Sequence, residues 1–355
     1  MEQTMRAAQY HKESGKVLVR RIRIPEPEDG QFQVKIVAAS LCHSDLMMDQ
    51  RPDSLKHQPL TIGHEGVGIV SKIHPSAENK GFKLGDKVGM LTIIDSCFAC
   101  EGCVVHATFC TASKNGGPKI QGLQADGVFA DYAVTDWQNC IHLPENLPIE
   151  RASPLFCAGI TAFHAVNKCE LQPGQWLAVV GCGGLGQLAI QYGKAMGLKV
   201  IGLDINDHML ETAIKNGANA TYNPRKDPKF FKAIRKLTGI RGCHAAAVFS
   251  DSNAAYATGI RSLTFNGLLM VVGMPDKPLE LPAFAVSTNL YRVKGASNGT
   301  AAELKVAVDF TARHGIIPDC EFRELDEMPQ MWEEMAQGKA KRKLVVLFGN
   351  EKSKI

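Results

Sequence analysis

Trp176-Leu-Ala-Val-Val-Gly-Cys-Gly-Gly-Leu-Gly186 decides how this chain is read. Its first five residues fit a short buried strand, and the glycines after them fit a tight loop opening a helix. Gly181, Gly183 and Gly186 keep the spacing G-x-G-x-x-G. The first permits the turn, the second lets backbone approach a pyrophosphate, and the third lets helix pack on strand. Gly184 and Leu185 complete the loop, and the following helix aims its first N–H groups at phosphates. A second strand at Lys199–Leu203 ends in Asp204, 18 residues after Gly186. A carboxylate there suits ribose hydroxyls and repels a 2′-phosphate, so NAD(H) is expected over NADP(H). A structural turn before a surface Asp is the blander reading, and the order strand, loop, helix, strand, acid disfavours it.

The pattern around this stretch is strands alternating with helices. Strands are expected at 176–180, 199–203, 245–249 and 268–272, and helices at 160–169, 185–196 and 209–216. That alternation implies a parallel sheet with crossovers, an α/β domain. Residues 1–150 read differently. Short β-like runs at 17–20, 33–39, 67–73 and 87–91, broken by Gly and Pro turns, suggest a small barrel-like β domain. Beyond 295, helices at 301–313 and 328–337 precede a β-like run at 344–348.

Cysteine supplies the second signal. Cys97, Cys100, Cys103 and Cys110 form C-x2-C-x2-C-x6-C within 14 residues, too close for four independent core thiols. A closed four-thiolate zinc site is expected, structural because no coordination position stays open; an iron–sulfur cluster is the alternative. Cys42, His64 and Cys157 lie scattered around this run, and the trio suits a zinc with one open position. Singly, each reads as a buried thiol or a hydrogen-bonded histidine.

Bulk properties bound the rest. At 355 residues two domains are expected. The balance of 45% hydrophobic and 21% charged residues is that of an ordinary soluble chain. Forty basic against 36 acidic residues, net +4, give no reason to expect nucleic acid, and no apolar run reaches membrane-spanning length. The N-terminus is not a signal peptide, so a reducing, cytoplasmic setting is expected, where 11 cysteines serve as ligands and buried thiols. Ser353-Lys354-Ile355 offers a peroxisomal address as the alternative, against a plain solvated tail.

With these motifs in hand, the chain resembles the zinc-dependent medium-chain alcohol dehydrogenases, most closely the fungal, yeast-type enzymes. The resemblance rests on Leu41-Cys-His-Ser-Asp45, Gly63-His-Glu-Gly66, the four-cysteine lobe, Asp126-Gly127 with Tyr132-Ala133, Leu155-Phe-Cys-Ala-Gly-Ile-Thr161, Gly183-Gly-Leu-Gly186 and Val271-Val-Gly-Met-Pro275. It implies a GroES-like β-barrel catalytic domain over 1–157, carrying the structural zinc lobe at about 95–112. A Rossmann NAD-binding domain follows over 158–296, and 297–355 returns to the catalytic domain. The active site would lie in the cleft between the domains. Two zinc ions per subunit are implied. Cys42, His64 and Cys157 would hold the catalytic one, with Glu65 behind it as an occasional ligand and Asp45 fixing the histidine tautomer. Ser44 would take the alcohol proton, His43 would approach the cofactor phosphates, and Thr161, Val272 and Met274 would flank the nicotinamide. The implied reaction is reversible hydride transfer between NAD(H) and a small alcohol or carbonyl, in a homotetramer or homodimer.

Departures from the family pattern bear on substrate. The yeast-type relay histidine is Met47 here, so proton release would run through the ribose hydroxyl to water, with His57 or Asp49 nearby, or through water alone. The spacing before Cys110 is six residues where seven is usual, with His106 as a substitute ligand. A tryptophan of the small-alcohol pocket is missing, and Met47, Met48 and Leu55 would line a wider one. The lysine usual five residues after the ribose-binding acid is Met209. Lys343 replaces the arginine that meets the pyrophosphate, keeping charge but losing the fork. A primary alcohol or aldehyde bulkier than ethanol, in a biosynthetic or specialised pathway, is therefore expected. The competing reading, a non-catalytic NAD-binding zinc scaffold or sensor, requires loss of a ligand, and all are kept. A zinc-free quinone reductase of the same fold would lack both cysteine sets.

Overall fold

The computed structural model describes residues 3–50, 59–113 and 116–349, without the side chains of Asp49 and Gln50. His57, Leu55 and the terminal Ser353–Ile355 tripeptide lie outside them. The chain forms two compact units, residues 1–157 with 300–355, and residues 158–299.

The second unit is built on a six-stranded parallel sheet. Its order is Ala220–Tyr222, Lys199–Leu203, Trp176–Val180, Cys243–Val248, Leu263–Val271 and Tyr291–Gly295. Trp176–Val180 is buried along its whole length, as a central strand covered on both faces must be. Helices Gly184–Ala195, Asp207–Lys215, Phe230–Thr238 and Asn253–Ser262 make the crossovers. The sheet has two strands more than the sequence pattern suggested, both at its edges. Ala220–Tyr222 is only half-buried and Tyr291–Gly295 buries Tyr291 alone, so neither shows the continuous apolar run of a central strand.

In the first unit, strand Gln31–Ser40 is the organiser. It pairs antiparallel with Glu65–Ile73 on one side and with Lys343–Leu347 on the other. Ser40 faces Glu65 across the first pairing and Val345 across the second. The end of this strand therefore gathers the start of Glu65–Ile73 and the start of Lys343–Leu347 around Leu41 and Cys42. Phe32, Ile36, Val70, Phe129, Leu344 and Val346 fill the core beneath. Met48 belongs to this core, 2% exposed, which removes it from the pocket-lining role expected above. Met47, in the short helix Met47–Gln50, is half-buried.

Candidate metal centres and dinucleotide loop

Cys42 caps a one-turn 3-10 helix, His43–Leu46. Its backbone N–H donates to Asp45 Oδ2 at 2.9 Å, and Asp45 Oδ1 meets His64 Nδ1 at 2.7 Å. One buried carboxylate thus ties the Cys42 turn to His64. With Nδ1–H spent on Asp45, Nε2 of His64 keeps its lone pair for a metal. Glu65 comes next in the strand. Its Oε2 accepts from Ser40 Oγ and from Lys343 Nζ, the latter at 2.6 Å, and Lys343 also donates to Leu41 O at 3.1 Å. Cys157 ends the turn Ser153–Phe156, whose Phe156 ring lies where a Cβ on Gly89 would stand, 1.7 Å away. Glycine at 89 is what lets that ring seat and fixes the approach to Cys157.

The result is a set, buried at Cys42, His64 and Glu65 and half-buried at Cys157, in which one ligand atom from each lies within 4.8 Å of all the others. Charge is tightly balanced there. The hydrogen bond from Cys157 holds the Cys42 thiol well below its ordinary pKa, aided by Lys343 and His64, and drives Cys157 itself well up. Burial disfavours a charged His64, yet Asp45 outweighs it and the imidazole becomes more basic. Burial pushes Glu65 up to about 7 against the pull of Lys343. Burial also opposes the Lys343 charge, and Glu65 overcomes it. Two thiols and a basic imidazole within reach of one point, with a carboxylate behind, form a donor set that fits zinc.

The other set, Cys97, Cys100, Cys103 and Cys110, meets the same 4.8 Å criterion. Cys97 and Cys103 sulfurs stand 3.9 Å apart, and those of Cys100 and Cys110 4.0 Å. A zinc–sulfur bond of about 2.3 Å gives a tetrahedron whose edge is about 3.8 Å, so the spacing fits a shared ion and far exceeds a disulfide. Backbone N–H groups stabilise the thiolates: Thr111 N reaches Cys100 Sγ, and Cys97 N reaches Cys110 Sγ at 3.3 Å. The N–H of Thr111, with that of Cys103, brings Cys100 down to about 5, while burial pushes Cys103 up to about 12. The six-residue spacing does not keep Cys110 from the set. His106 stays outside it, its Nδ1 paired with Thr108 at 2.7 Å as a helix cap. Gly102 allows the lobe to close, since a Cβ there would stand 1.9 Å from Phe109 O.

In the second unit, Gly181 adopts φ +87°, and a Cβ on Gly186 would stand 1.9 Å from Gly181 O. Gly183 caps the helix Gly184–Ala195 with no side-chain hydrogen bond, and a Cβ on it would meet nothing within 4 Å. Open space facing uncapped helix N–H groups is a cradle that fits a pyrophosphate. Asp204 accepts from Cys182 N at 2.7 Å and Asn206 N at 2.8 Å, which aims its carboxylate beside the loop. Asp207 is clamped to Asn223 at 2.8 Å and to Lys226, joining the segments that follow strands Lys199–Leu203 and Ala220–Tyr222. Val272 and exposed Met274 follow the strand Leu263–Val271, where Gly273 packs on Ser250 and its carbonyl accepts from Tyr256 Oη. Thr161 is buried in the helix Ala158–Asn167. His43 is exposed and Ser44 half-buried.

The sequence alone does not reveal Ser40 or the pairing of Lys343 with Glu65. No local motif signals either, because both depend on strand register. The Asn223–Asp207–Lys226 clamp has a weak signal, an Asn-Pro turn after strand Ala220–Tyr222.

Thiolate–imidazole donors in one unit and a dinucleotide cradle in the other are the equipment of a metal-assisted dehydrogenase. Comparison with known proteins narrows this. Residues 28–145 match the alcohol dehydrogenase GroES-like domain, and residues 184–313 the zinc-binding dehydrogenase domain. An alcohol dehydrogenase of Geobacillus stearothermophilus is 35% identical over 344 residues, covering 96% of this chain and 98% of its own. The alcohol dehydrogenase structure from the archaeon Aeropyrum pernix superposes with a TM-score of 0.85 at 29% identity, covering 97% and 100%. A cinnamyl alcohol dehydrogenase of Sorghum bicolor gives 0.84 at 27%, covering 97% of each chain. The chain belongs to the zinc-dependent medium-chain alcohol dehydrogenase family, and is thereby an oxidoreductase of alcohols that uses zinc and NAD(H).

Proposed function

We propose that this enzyme interconverts an alcohol bulkier than ethanol and its carbonyl, with Cys42, His64 and Cys157 holding the catalytic zinc and Cys97, Cys100, Cys103 and Cys110 the structural one. When bound, the first zinc supplies Lewis acidity at the substrate oxygen and the nicotinamide exchanges hydride. The chain's residues do the rest. Asp45 keeps His64 in the tautomer that presents Nε2. Ser40 and Lys343 both engage Glu65 Oε2, so Lys343 acts first on this carboxylate and competes with any service it gives as a ligand. Ser44, next but one to Cys42, receives and returns the alcohol proton, and Met47 cannot pass it on. His43 approaches the cofactor phosphates, Thr161, Val272 and Met274 flank the nicotinamide end, and Asp204 grips the adenosine ribose.

The observation that carries this reading is the convergence of Cys42, His64, Glu65 and Cys157 at a largely buried point. Substrate size rests on Met47 and on the missing pocket tryptophan, and the Sorghum relative is named for an alcohol of that size. The test is zinc content together with NADH formation across primary alcohols of rising size. About two zinc ions per subunit and a kcat/KM that climbs from ethanol to aromatic or branched alcohols are expected. A preference for ethanol would overturn the substrate assignment, and retained activity in Cys157→Ala the site assignment.

A homo-oligomer is part of the same proposal. Tyr291–Gly295 is a sheet edge with Val293 and the preceding Leu290 exposed, and pairing with the same strand of a second copy would cover it. Sedimentation velocity tests this, with a monomer as the adverse result. A cytoplasmic setting, against the peroxisome, is tested by imaging the chain with and without its last three residues.

A further inference from the structure

The even overall charge conceals a local excess. Between 225 and 241 stand Arg225, Lys226, Lys229, Lys232, Arg235, Lys236 and Arg241 against Asp227 alone, a net of +6 in a chain whose total is +4. The remaining residues together are therefore slightly acidic. All seven cations are exposed, and among the described residues only Lys226 of the seven pairs with a carboxylate, that of Asp207. Exposed Arg261 adds an eighth cation from the adjoining helix, donating to Pro228 O at 2.9 Å.

The fold turns this excess into a surface. Helix Phe230–Thr238 buries Phe230 and Ile234 against the sheet. Lys229, Lys232 and Lys236, spaced three and four apart, line the opposite side. At the far end of the helix the surface becomes apolar without losing charge. Leu237 is 43% exposed, Ile240 41% and Phe265 56%, among Arg235, Lys236 and Arg241. Arginines lie over the rings there: Arg241 over Phe265 at 4.2 Å and Arg261 over Phe231 at 4.6 Å.

We propose that this face docks the enzyme on an anionic lipid bilayer. Four to eight clustered cations on an amphipathic helix are what negatively charged headgroups recognise. The exposed aliphatic tips choose between polyanions. Leu237 and Ile240 gain nothing against a sugar–phosphate backbone, but they reach the headgroup–acyl boundary when the cations are at the headgroups. The aromatic rings already carry guanidiniums on a face, and this leaves them poorly placed to stack bases. Apart from Lys226, which clamps Asp207 near the dinucleotide loop, none of these residues belongs to the metal or dinucleotide sites, so docking and catalysis separate experimentally.

The test uses full-length, zinc-loaded enzyme and sedimentation with vesicles of phosphatidylcholine, with and without about 30 mol% phosphatidylserine. Binding is expected only to the anionic vesicles, falling at least about tenfold between about 50 and 300 mM salt. Each lysine neutralised (Lys229→Gln, Lys232→Gln, Lys236→Gln) is expected to lower partitioning about fivefold. The joint reversal Lys229→Glu, Lys232→Glu, Lys236→Glu is expected to abolish it, with kcat/KM on a water-soluble alcohol unchanged. Leu237→Gln with Ile240→Gln is expected to weaken vesicle binding severalfold at unchanged net charge. Absence of binding at low salt, undiminished binding by the reversed variant, or retention by duplex DNA with none by vesicles would each overturn the proposal.

Discussion

Cys97, Cys100, Cys103 and Cys110 reach one another within a single 14-residue stretch, and backbone N–H groups tune them. Cys42, His64 and Cys157 span 116 positions of sequence, and charged side chains tune them: Asp45 on His64, Lys343 on Glu65. The donor chemistry is similar, but the wiring differs. A closed thiolate site needs only its own loop, so it can sit at the surface as a staple. A site meant to exchange a ligand must be held by something other than the metal, and here that is a strand register plus buried ion pairs. Loss of a ligand should therefore separate function from stability, in opposite senses at the two centres.

The largest expected effect is at the assembled site. Cys157→Ser should lower kcat/KM by about a thousandfold and take zinc from about two to about one per subunit, with little change in Tm. Cys103→Ser should do the reverse. It should lose the other zinc and lower Tm by several degrees, and activity should fall only as far as the folded fraction does. Metal analysis and thermal unfolding on both variants decide the matter. If Cys103→Ser abolished activity in protein that remained folded at assay temperature, the division of labour would be wrong.

A finer effect is expected from Asp45→Asn, which keeps the shape but changes what His64 Nδ1 faces. Zinc affinity at the assembled site should drop about 10- to 100-fold while the four-cysteine lobe is untouched. Competition with a chelator, followed by release of the first and second zinc, measures this. Equal weakening of both ions would mean that Asp45 acts through the general fold and not through the imidazole.

The same contrast governs what the amino-acid sequence reveals. The glycine loop and the cysteine run are legible because their geometry is local: Gly181 must take φ +87°, and four thiols in one short loop have little else to do. Cys42, His64 and Cys157 are legible only as a set of residue types and through family resemblance. Ser40 and Lys343 are not legible, because their meeting with Glu65 is decided by which strands flank Gln31–Ser40. Met48 is ambiguous for a related reason, since an apolar residue beside a site looks the same in sequence whether it faces pocket or, as here, core. The edge strands are hard to read because strands so lightly buried show too few apolar residues to set a period, whereas the helix Phe230–Thr238 carries a legible stripe at Phe230 and Ile234.

The smallest effect tests whether the cysteine lobe is as free of charge wiring as the comparison claims. Asp136 ends strand Tyr132–Asp136, and its Oδ2 accepts from Asp95 N at 2.7 Å, just before the lobe begins. Burial raises its pKa from the ordinary 3.8 to about 6, although the Asp95 N–H and Lys119 pull it down. The folded state therefore holds this proton more tightly than the unfolded chain does. Between pH 3.8 and about 6 the unfolded chain has released the proton and the folded state has kept it, so stability declines as pH rises through that window and stays lower above it. Asp136→Asn keeps an oxygen to accept from Asp95 N and cannot ionise. Denaturant unfolding across pH should show the variant gaining about 1–2 kcal/mol on the wild type between pH 4 and 7. The difference between the two proteins isolates Asp136 from Glu65, whose raised pKa tilts both curves alike. A gap that stays flat with pH would leave the lobe with no titrating anchor, whereas one of opposite slope would mean that Lys119 turns the Asp136 charge into a stabilising one.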